Sequence, residues 1–244
     1  MLPFDQDEDI WLKYVSMMRR HVTSSAAREV GIELAHMTIC RLMGLDPETA
    51  LHNPFEATSR RFIYGFIKQL WSCDLHGEAL GHLRTLIEIL EGSQDSQAEL
   101  LARCFFRLGQ WHATLAPEIP SEEQAMYILN SFERVTALSP DWQKGWHALA
   151  QTAEQTMAQF AEADPRRSLS LAVVAIKGLF KSISLTSSSN TLEDTLRLLQ
   201  LWFDHGHHPG VLEAFNAGCK TISIDTWLQV QGERERERER ERER

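Results

Sequence analysis

Residues 165–184 read PRRSLSLAVVAIKGLFKSIS, a stretch in which apolar side chains recur every three or four positions. On a helix such positions share one face, and this stripe consists of Leu169, Ala172, Val173, Ile176, Phe180 and Ile183. The polar side chains fall largely outside it, at Ser168, Lys177, Lys181 and Ser184. The pattern predicts an amphipathic helix with one buried face.

The same spacing recurs elsewhere in the chain. A second stripe comprises Phe62, Phe66 and Leu70, flanked by Ile63, Ile67 and Trp71; a third comprises Ala79, Leu80, Leu83, Leu86, Ile87 and Leu90. No segment alternates apolar and polar residues for long, as a half-buried strand would. We therefore expect an all-α protein of about ten helices. The turns are predicted near residues 21–25, 44–56, 74–77, 92–96, 116–121, 139–141, 186–190 and 206–209.

Helix caps and prolines lie between the periodic segments. Two Ser/Asp-Pro pairs predict an N-cap followed by proline at the first helical position: Ser139 with Pro140, and Asp164 with Pro165. Two further pairs have the spacing of a capping box: Ser121 with Gln124, and Asn190 with Glu193. Short connections between helices favour hairpins that stack into a solenoid, with degenerate tetratricopeptide-like features around Leu108–Trp111 and Trp142–Ala150.

The composition restricts the possible functions. The chain has 244 residues, 43% of them hydrophobic, and a formal charge of −9. An acidic protein is a poor match for nucleic acid or an anionic membrane, since both are bound through clustered Lys and Arg. The longest apolar run, residues 171–176, is far too short to span a bilayer, and the acidic start lacks the features of a secretory signal. The four cysteines, Cys40, Cys73, Cys104 and Cys219, are typical of reduced thiols in a cytoplasmic protein.

The last twelve residues, 233–244, are six Glu-Arg pairs. Residues four apart carry the same sign and repel, and the segment has no apolar side chain to bury. We expect residues 232–244 to be a solvated tail without function, and a truncated or misread gene end is one hypothesis for its origin.

The usual catalytic motifs are absent. The sequence has no G-x-G phosphate loop, Walker loop, nucleophile elbow, C-x-x-C or H-E-x-x-H motif, and no kinase signature loop. We assign no catalytic, cofactor-binding or metal-binding residue.

Three groups of residues have two interpretations each. Asp204, His205, His207 and His208 are either metal ligands or, as we prefer, polar residues at a helix end. Trp111, Trp142, Trp146, Trp202 and Trp227 either line a ligand groove or pack between helices, the interpretation that we favour. Ser182, Ser184 and Ser187–Ser189 are phosphorylation sites or, preferably, a polar helix end and loop.

Several longer strings occur together in one order. They are Trp11–Tyr14, Leu45–Pro47, Ala102–Cys104 with Leu108–Trp111, Trp146–Ala148, Gly178–Leu185, Asn190–Arg197, Leu201–Asp204, Gly206–His207 and Ile224–Val230. Together they resemble the FAT region of the target-of-rapamycin (TOR) kinases, which belong to the phosphatidylinositol-3-kinase-related family. The similarity spans about residues 10–230 and stops at Gln231, and no residue matches a catalytic position of that family.

The resemblance implies an irregular TPR/HEAT-like solenoid over residues 8–231, between a short segment 1–7 and the tail. It implies a non-catalytic scaffold that clamps the kinase domain of a cytoplasmic Ser/Thr kinase in nutrient and growth signalling. The partners would be that kinase domain and the accessory subunits of a TOR complex, with ATP and Mg²⁺ confined to the absent kinase domain. The alternative is a free-standing tetratricopeptide-like adaptor that binds a peptide or protein in a groove.

Overall fold

The computed structural model describes residues 4–20, 25–57, 59–93, 97–185 and 190–220. These residues form eleven α-helices and one short 3-10 helix, and none of them lies in a strand. The all-α, helical-repeat expectation is confirmed. The predicted tail 232–244, Trp227 and Ser187–Ser189 lie outside the described residues.

The helices belong to two compact units, residues 1–104 and 105–244. The elements of the first unit are α1 (Phe4–Arg20), α2 (Ser25–Met43), α3 (Pro47–His52), the 3-10 helix (Pro54–Glu56), α4 (Arg60–Ser72) and α5 (His76–Glu91). The helix α6 (Ala98–Leu115) contains the division between the units. The second unit continues with α7 (Glu122–Leu138), α8 (Gln143–Phe160), α9 (Pro165–Ser184), α10 (Asn190–His205) and α11 (Pro209–Cys219).

In the first unit, α4 is the central helix and packs against α1, α2 and α5. The two apolar stripes predicted for this region are buried except for Trp71 and Leu80, which are half-buried. Phe66 and Ile67 on α4 and Leu83 and Leu86 on α5 are fully enclosed. The side-chain amide of Gln69 on α4 donates a 2.7 Å hydrogen bond to the carbonyl of Ile32 on α2. The two helices are thus joined by a hydrogen bond from a buried polar side chain in addition to their apolar contacts.

In the second unit, α9 is the central helix and packs against α8, α10 and α11. Of the predicted stripe, Ala172, Ile176, Phe180 and Ile183 are buried, while Leu169 and Val173 are half-buried and pack against the same core. A second stripe on α9 is buried as well, and it consists of small or polar residues together with one leucine, at Ser168, Leu171, Ala175, Gly178 and Ser182. The prediction placed Ser168 outside the buried face; instead its hydroxyl donates to the carbonyl of Met157 on α8 at 3.2 Å.

The caps were predicted with mixed success. Ser121 and Gln124 form a capping box at the start of α7, and Asp164 accepts a hydrogen bond from the backbone amide of Arg167 at the start of α9. The Ser139 prediction is wrong: Ser139 ends α7, and its carbonyl accepts from the Trp142 amide in a turn that delays α8 to Gln143.

Two further local predictions concern residues 44–56 and Asn190. The segment 44–56, predicted as a turn, contains α3, because Asp46 caps a helix that has Pro47 at its first position. The side chain of Asn190 is not among those described, so its capping box with Glu193 stays a prediction.

The cysteines are free thiols. Burial raises the pKa of Cys40 to about 11 and that of Cys104 to about 12, so both stay protonated and pack as small apolar side chains. Cys73 is half-buried and Cys219 is exposed. Within the described segments, no helix is long and apolar enough to cross a membrane.

The close contact between α8 and α9 depends on glycine at position 178, which has no side chain. A Cβ atom on Gly178 would lie 3.0 Å from the Cβ of Ala150 and 3.2 Å from the carbonyl oxygen of Trp146. Such distances are shorter than ordinary van der Waals contact, and the backbone carbonyl is fixed within α8. Larger residues at this position would force the helices apart.

We expect Gly178→Val to lower the free energy of unfolding by about 1–3 kcal/mol through overpacking. Gly210→Ala is the matched control, because a Cβ on Gly210 meets nothing within 4 Å and alanine favours the helix. Urea unfolding of both variants should show a lower midpoint for the first and an equal or higher one for the second. Equal effects of the two substitutions would contradict the close-packing argument.

Candidate functional site

The second unit encloses a network of polar side chains at the junction of three helices. Asp194 on α10 accepts hydrogen bonds through both carboxylate oxygens, one from the hydroxyl of Ser182 on α9 at 2.5 Å. The other oxygen lies 2.8 Å from Nδ1 of His147 on α8. The amide of Gln143, also on α8, donates to the Ser182 hydroxyl at 2.8 Å. We call these four residues the Asp194 network.

The network is buried unevenly. The side chain of Asp194 is 1% exposed and Ser182 is completely buried, whereas the imidazole of His147 is 31% exposed. The hydrogen bond that the imidazole donates to Asp194 raises the pKa of His147, against the opposing effect of burial. His147 is therefore the member of the network that can exchange a proton with solvent.

The geometry differs from that of a nucleophilic triad. In a triad the histidine lies between the acid and the hydroxyl and removes the hydroxyl proton. Here the Ser182 hydroxyl donates to the carboxylate itself, and the carboxylate separates it from His147. Ser182 is also fully enclosed, so a substrate has no access to its oxygen. What this arrangement can do is fix α8, α9 and α10 relative to one another.

Sequence reasoning missed this network, although a signal was present. Asp194 lies on the same face of its helix as Leu198 and Leu201, both buried. Ser182 was interpreted as part of a polar helix end, and this is wrong because it lies within the buried face of α9. A charged or hydroxyl side chain at a buried helical position requires a partner from a neighbouring helix.

The histidine cluster lies where α10 ends and α11 begins. His205 is the last residue of α10, and His208 precedes the first residue of α11. The rings of His207 and His208 are in contact, with centroids 4.1 Å apart and planes tilted by 43°. In the described part of the chain, no group of three or more His, Cys, Asp or Glu residues is arranged to hold a metal ion. The helix-end placement agrees with the interpretation that we preferred.

The described tryptophans of the second unit contact other helices or the turns between them. Trp111 is 4% exposed, and Trp142 and Trp146 pack against the apolar core of the unit. The ring of Trp202 on α10 lies 5.5 Å from that of Phe215 on α11. The indole of Trp146 donates to the carbonyl of Pro140, closing the turn before α8. These contacts agree with packing between helices.

An open groove runs along the outer face of α11. Its volume is about 430 Å³, and it is lined by Pro209, Leu212, Glu213, Asn216, Ala217 and Lys220. Five of them lie on α11 and Lys220 directly follows it, with one acid and one base among the six. The groove therefore presents no convergent set of polar groups of the kind that orients a small ligand.

We expect Ser182→Ala to lower the free energy of unfolding by about 1.5–3 kcal/mol, since it removes a hydrogen bond to a buried carboxylate. Ser184→Ala is the control on the same helix, because the Ser184 hydroxyl is exposed and bonds only locally to the Lys181 carbonyl. In urea unfolding, the midpoint of Ser182→Ala should be clearly lower than that of Ser184→Ala. A common midpoint for both would show that the network contributes no stability.

Comparison with known proteins assigns the chain to a family. The model of the FAT domain family matches residues 2–200, which is most of the chain. The match includes α8, α9 and most of α10, and so all four members of the Asp194 network.

Curated relatives are kinases of the TOR type. Serine/threonine-protein kinase mTor of Drosophila melanogaster is 31% identical over 92% of this chain, and tor1 of Schizosaccharomyces pombe is 30% identical over 93%. TOR of Arabidopsis thaliana is 28% identical over 94%. The chain spans only about a tenth of the length of each relative. With a family match over most of its helices and TOR kinases as relatives, the chain belongs to the FAT domain family.

Proposed function

We propose that the chain is a non-catalytic scaffold segment of a TOR-type serine/threonine protein kinase. The supporting observation is that three of its helices are apolar on two opposite faces, one packed within their own unit and one exposed. Large apolar side chains are normally buried, and a patch of them left exposed on a protein surface marks an interaction site. The exposed faces are therefore the surfaces that further helices or domains of a longer kinase would cover.

The first such surface lies on α1 and α2. On α1, the buried Val15 lies opposite the exposed Ile10, Tyr14 and Met17. On α2, the buried residues Ala35 and Ile39 lie opposite a second exposed stripe, composed of Val30, Leu34 and Met37. Met17 is 55% exposed and Val30 is 64% exposed, so these side chains are not merely at the edge of the core.

The second surface lies on α10. Leu198 and Leu201 face the core, while Leu196, Leu199 and Phe203 are exposed on the other side. The spacing of three and four residues is the one by which a helix packs along another helix. Phe203 is 74% exposed. By contrast, the fully exposed positions of α8 include Lys144, Gln151 and Gln155 and no large apolar side chain.

The relation to TOR kinases supports the rest of the proposal. In such a kinase this segment would help to hold the kinase domain and support assembly with accessory subunits, in cytoplasmic nutrient and growth signalling. ATP and Mg²⁺ would act in the kinase domain, not here. The adaptor alternative requires a groove that binds a peptide, and the mixed lining of the α11 groove gives it little support.

We expect the double substitution Leu196→Gln and Phe203→Gln to reduce self-association of the isolated chain without lowering its urea midpoint, because both side chains are more than half exposed. The matched substitutions in a complete TOR kinase should lower its thermal stability. Gln151→Ser and Gln155→Ser on α8 form the control, with no effect in either setting. A loss of stability in the isolated chain would contradict the proposal that the exposed face of α10 is a surface that a further helix or domain covers.

The purified chain, supplied with ATP and magnesium, should transfer no phosphate to a protein substrate. The measurement is incorporation of labelled phosphate above a reaction without the chain. Robust activity that survives repurification would overturn the non-catalytic assignment.

A further inference from the structure

We propose that the Asp194 network is a proton-sensitive latch that fastens α10 to α8 and α9. The latch is a property of the second unit alone. Its effect on partner binding rests on the proposed function, because α10 also carries the exposed face that a further helix would cover.

The first reason is the position of the carboxylate. Asp194 is held from two other helices at once, through Ser182 on α9 and His147 on α8. A carboxylate that is 1% exposed depends on these contacts, since water cannot replace them. The state of its partners therefore determines how firmly α10 is held.

The second reason is that His147, one of the two partners of Asp194, can change its protonation state and is accessible to solvent. With His147 protonated, its Nδ1–H donates to Asp194 and an ionic attraction supplements the hydrogen bond. When the imidazole gives up a proton to solvent, the neutral ring can still donate through Nδ1, but the attraction between charges is lost. The 31% exposure of the ring allows this exchange without unfolding.

The charged groups around His147 are few. Asp194, Glu193 and Arg197 act on it, all from α10, while α8 and α9 contribute the neutral Gln143 and Ser182. Glu193 and Arg197 bond to each other at 2.7 Å, so their opposing effects on the imidazole partly cancel. Asp194 is left as the dominant influence.

The direction of the pH effect follows from these contacts. Asp194 raises the pKa of His147 above the ordinary value of 6.5. The stabilisation is therefore fully present below about pH 6.5 and is lost as the pH rises through the raised value. Mild acidification tightens the hold on α10, and mild alkalinisation loosens it.

The test is an NMR titration of the histidine rings in the full chain. We expect the midpoint of His147 to lie above 6.5 and to be lower in Asp194→Asn, because the charged hydrogen-bond acceptor that raises it is replaced by a neutral one. An unchanged His147 midpoint in the variant would overturn the proposal.

A second measurement covers the case in which Asp194→Asn does not fold. Amide exchange in α10, corrected for the intrinsic pH dependence, should be several-fold slower at pH 6 than at pH 8 in the parent chain. His147→Asn should abolish this difference while the chain stays folded. Equal pH dependence in parent and variant would refute the latch. Neither measurement involves a partner, so its failure is distinct from a failure of the scaffold proposal.

Discussion

The close approach of α8 and α9 is the constraint on which the second unit depends. Because Gly178 has no side chain, α9 lies against the backbone of α8 at Trp146 and against Ala150. At this separation the Ser182 hydroxyl meets the Gln143 amide across the helix pair, at 2.8 Å. Wider spacing would break that bond and expose Asp194. The close packing of small residues is therefore a requirement for the polar network, which forms only when α8 and α9 lie at this separation.

The apolar periodicity predicted the large side chains of the core but not the small ones. The stripe around Ile176 was recognisable because bulky residues repeat at helical spacing. The second buried stripe, which contains Gly178 and Ser182, has few large side chains, and its members Ser168 and Ser182 were interpreted as polar residues outside the buried face. Its burial depends on a neighbouring helix close enough to exclude water, and a single helix contains no information on that distance. For the Asp194 network, the position of Asp194 on a buried face indicated that it needs a partner, but the identity of that partner depends on how three helices are placed.

Local signals succeeded where a few adjacent residues suffice. The capping box of Ser121 and Gln124 closes within four residues, so its spacing was enough to predict it. Ser139 and Pro140 offered an equally good local pattern and failed, because the Trp146 indole binds the Pro140 carbonyl and favours a turn. A contact six residues away therefore outweighed the preference of proline for the first helical position. Sequence patterns in this chain predict helices better than they predict where helices begin.

The two faces of α10 connect the buried network with the proposed scaffold role. Asp194 fixes the inner face against α8 and α9, and this sets the direction in which Leu196, Leu199 and Phe203 point. A scaffold transmits position, so the orientation of its docking face matters more than any chemistry on it. A buried carboxylate is suited to this purpose, because its directional hydrogen bonds specify one arrangement whereas apolar contact tolerates several. In this protein a polar group buried at some energetic cost therefore acts through geometry, and the apolar face that it orients is the part available to partners.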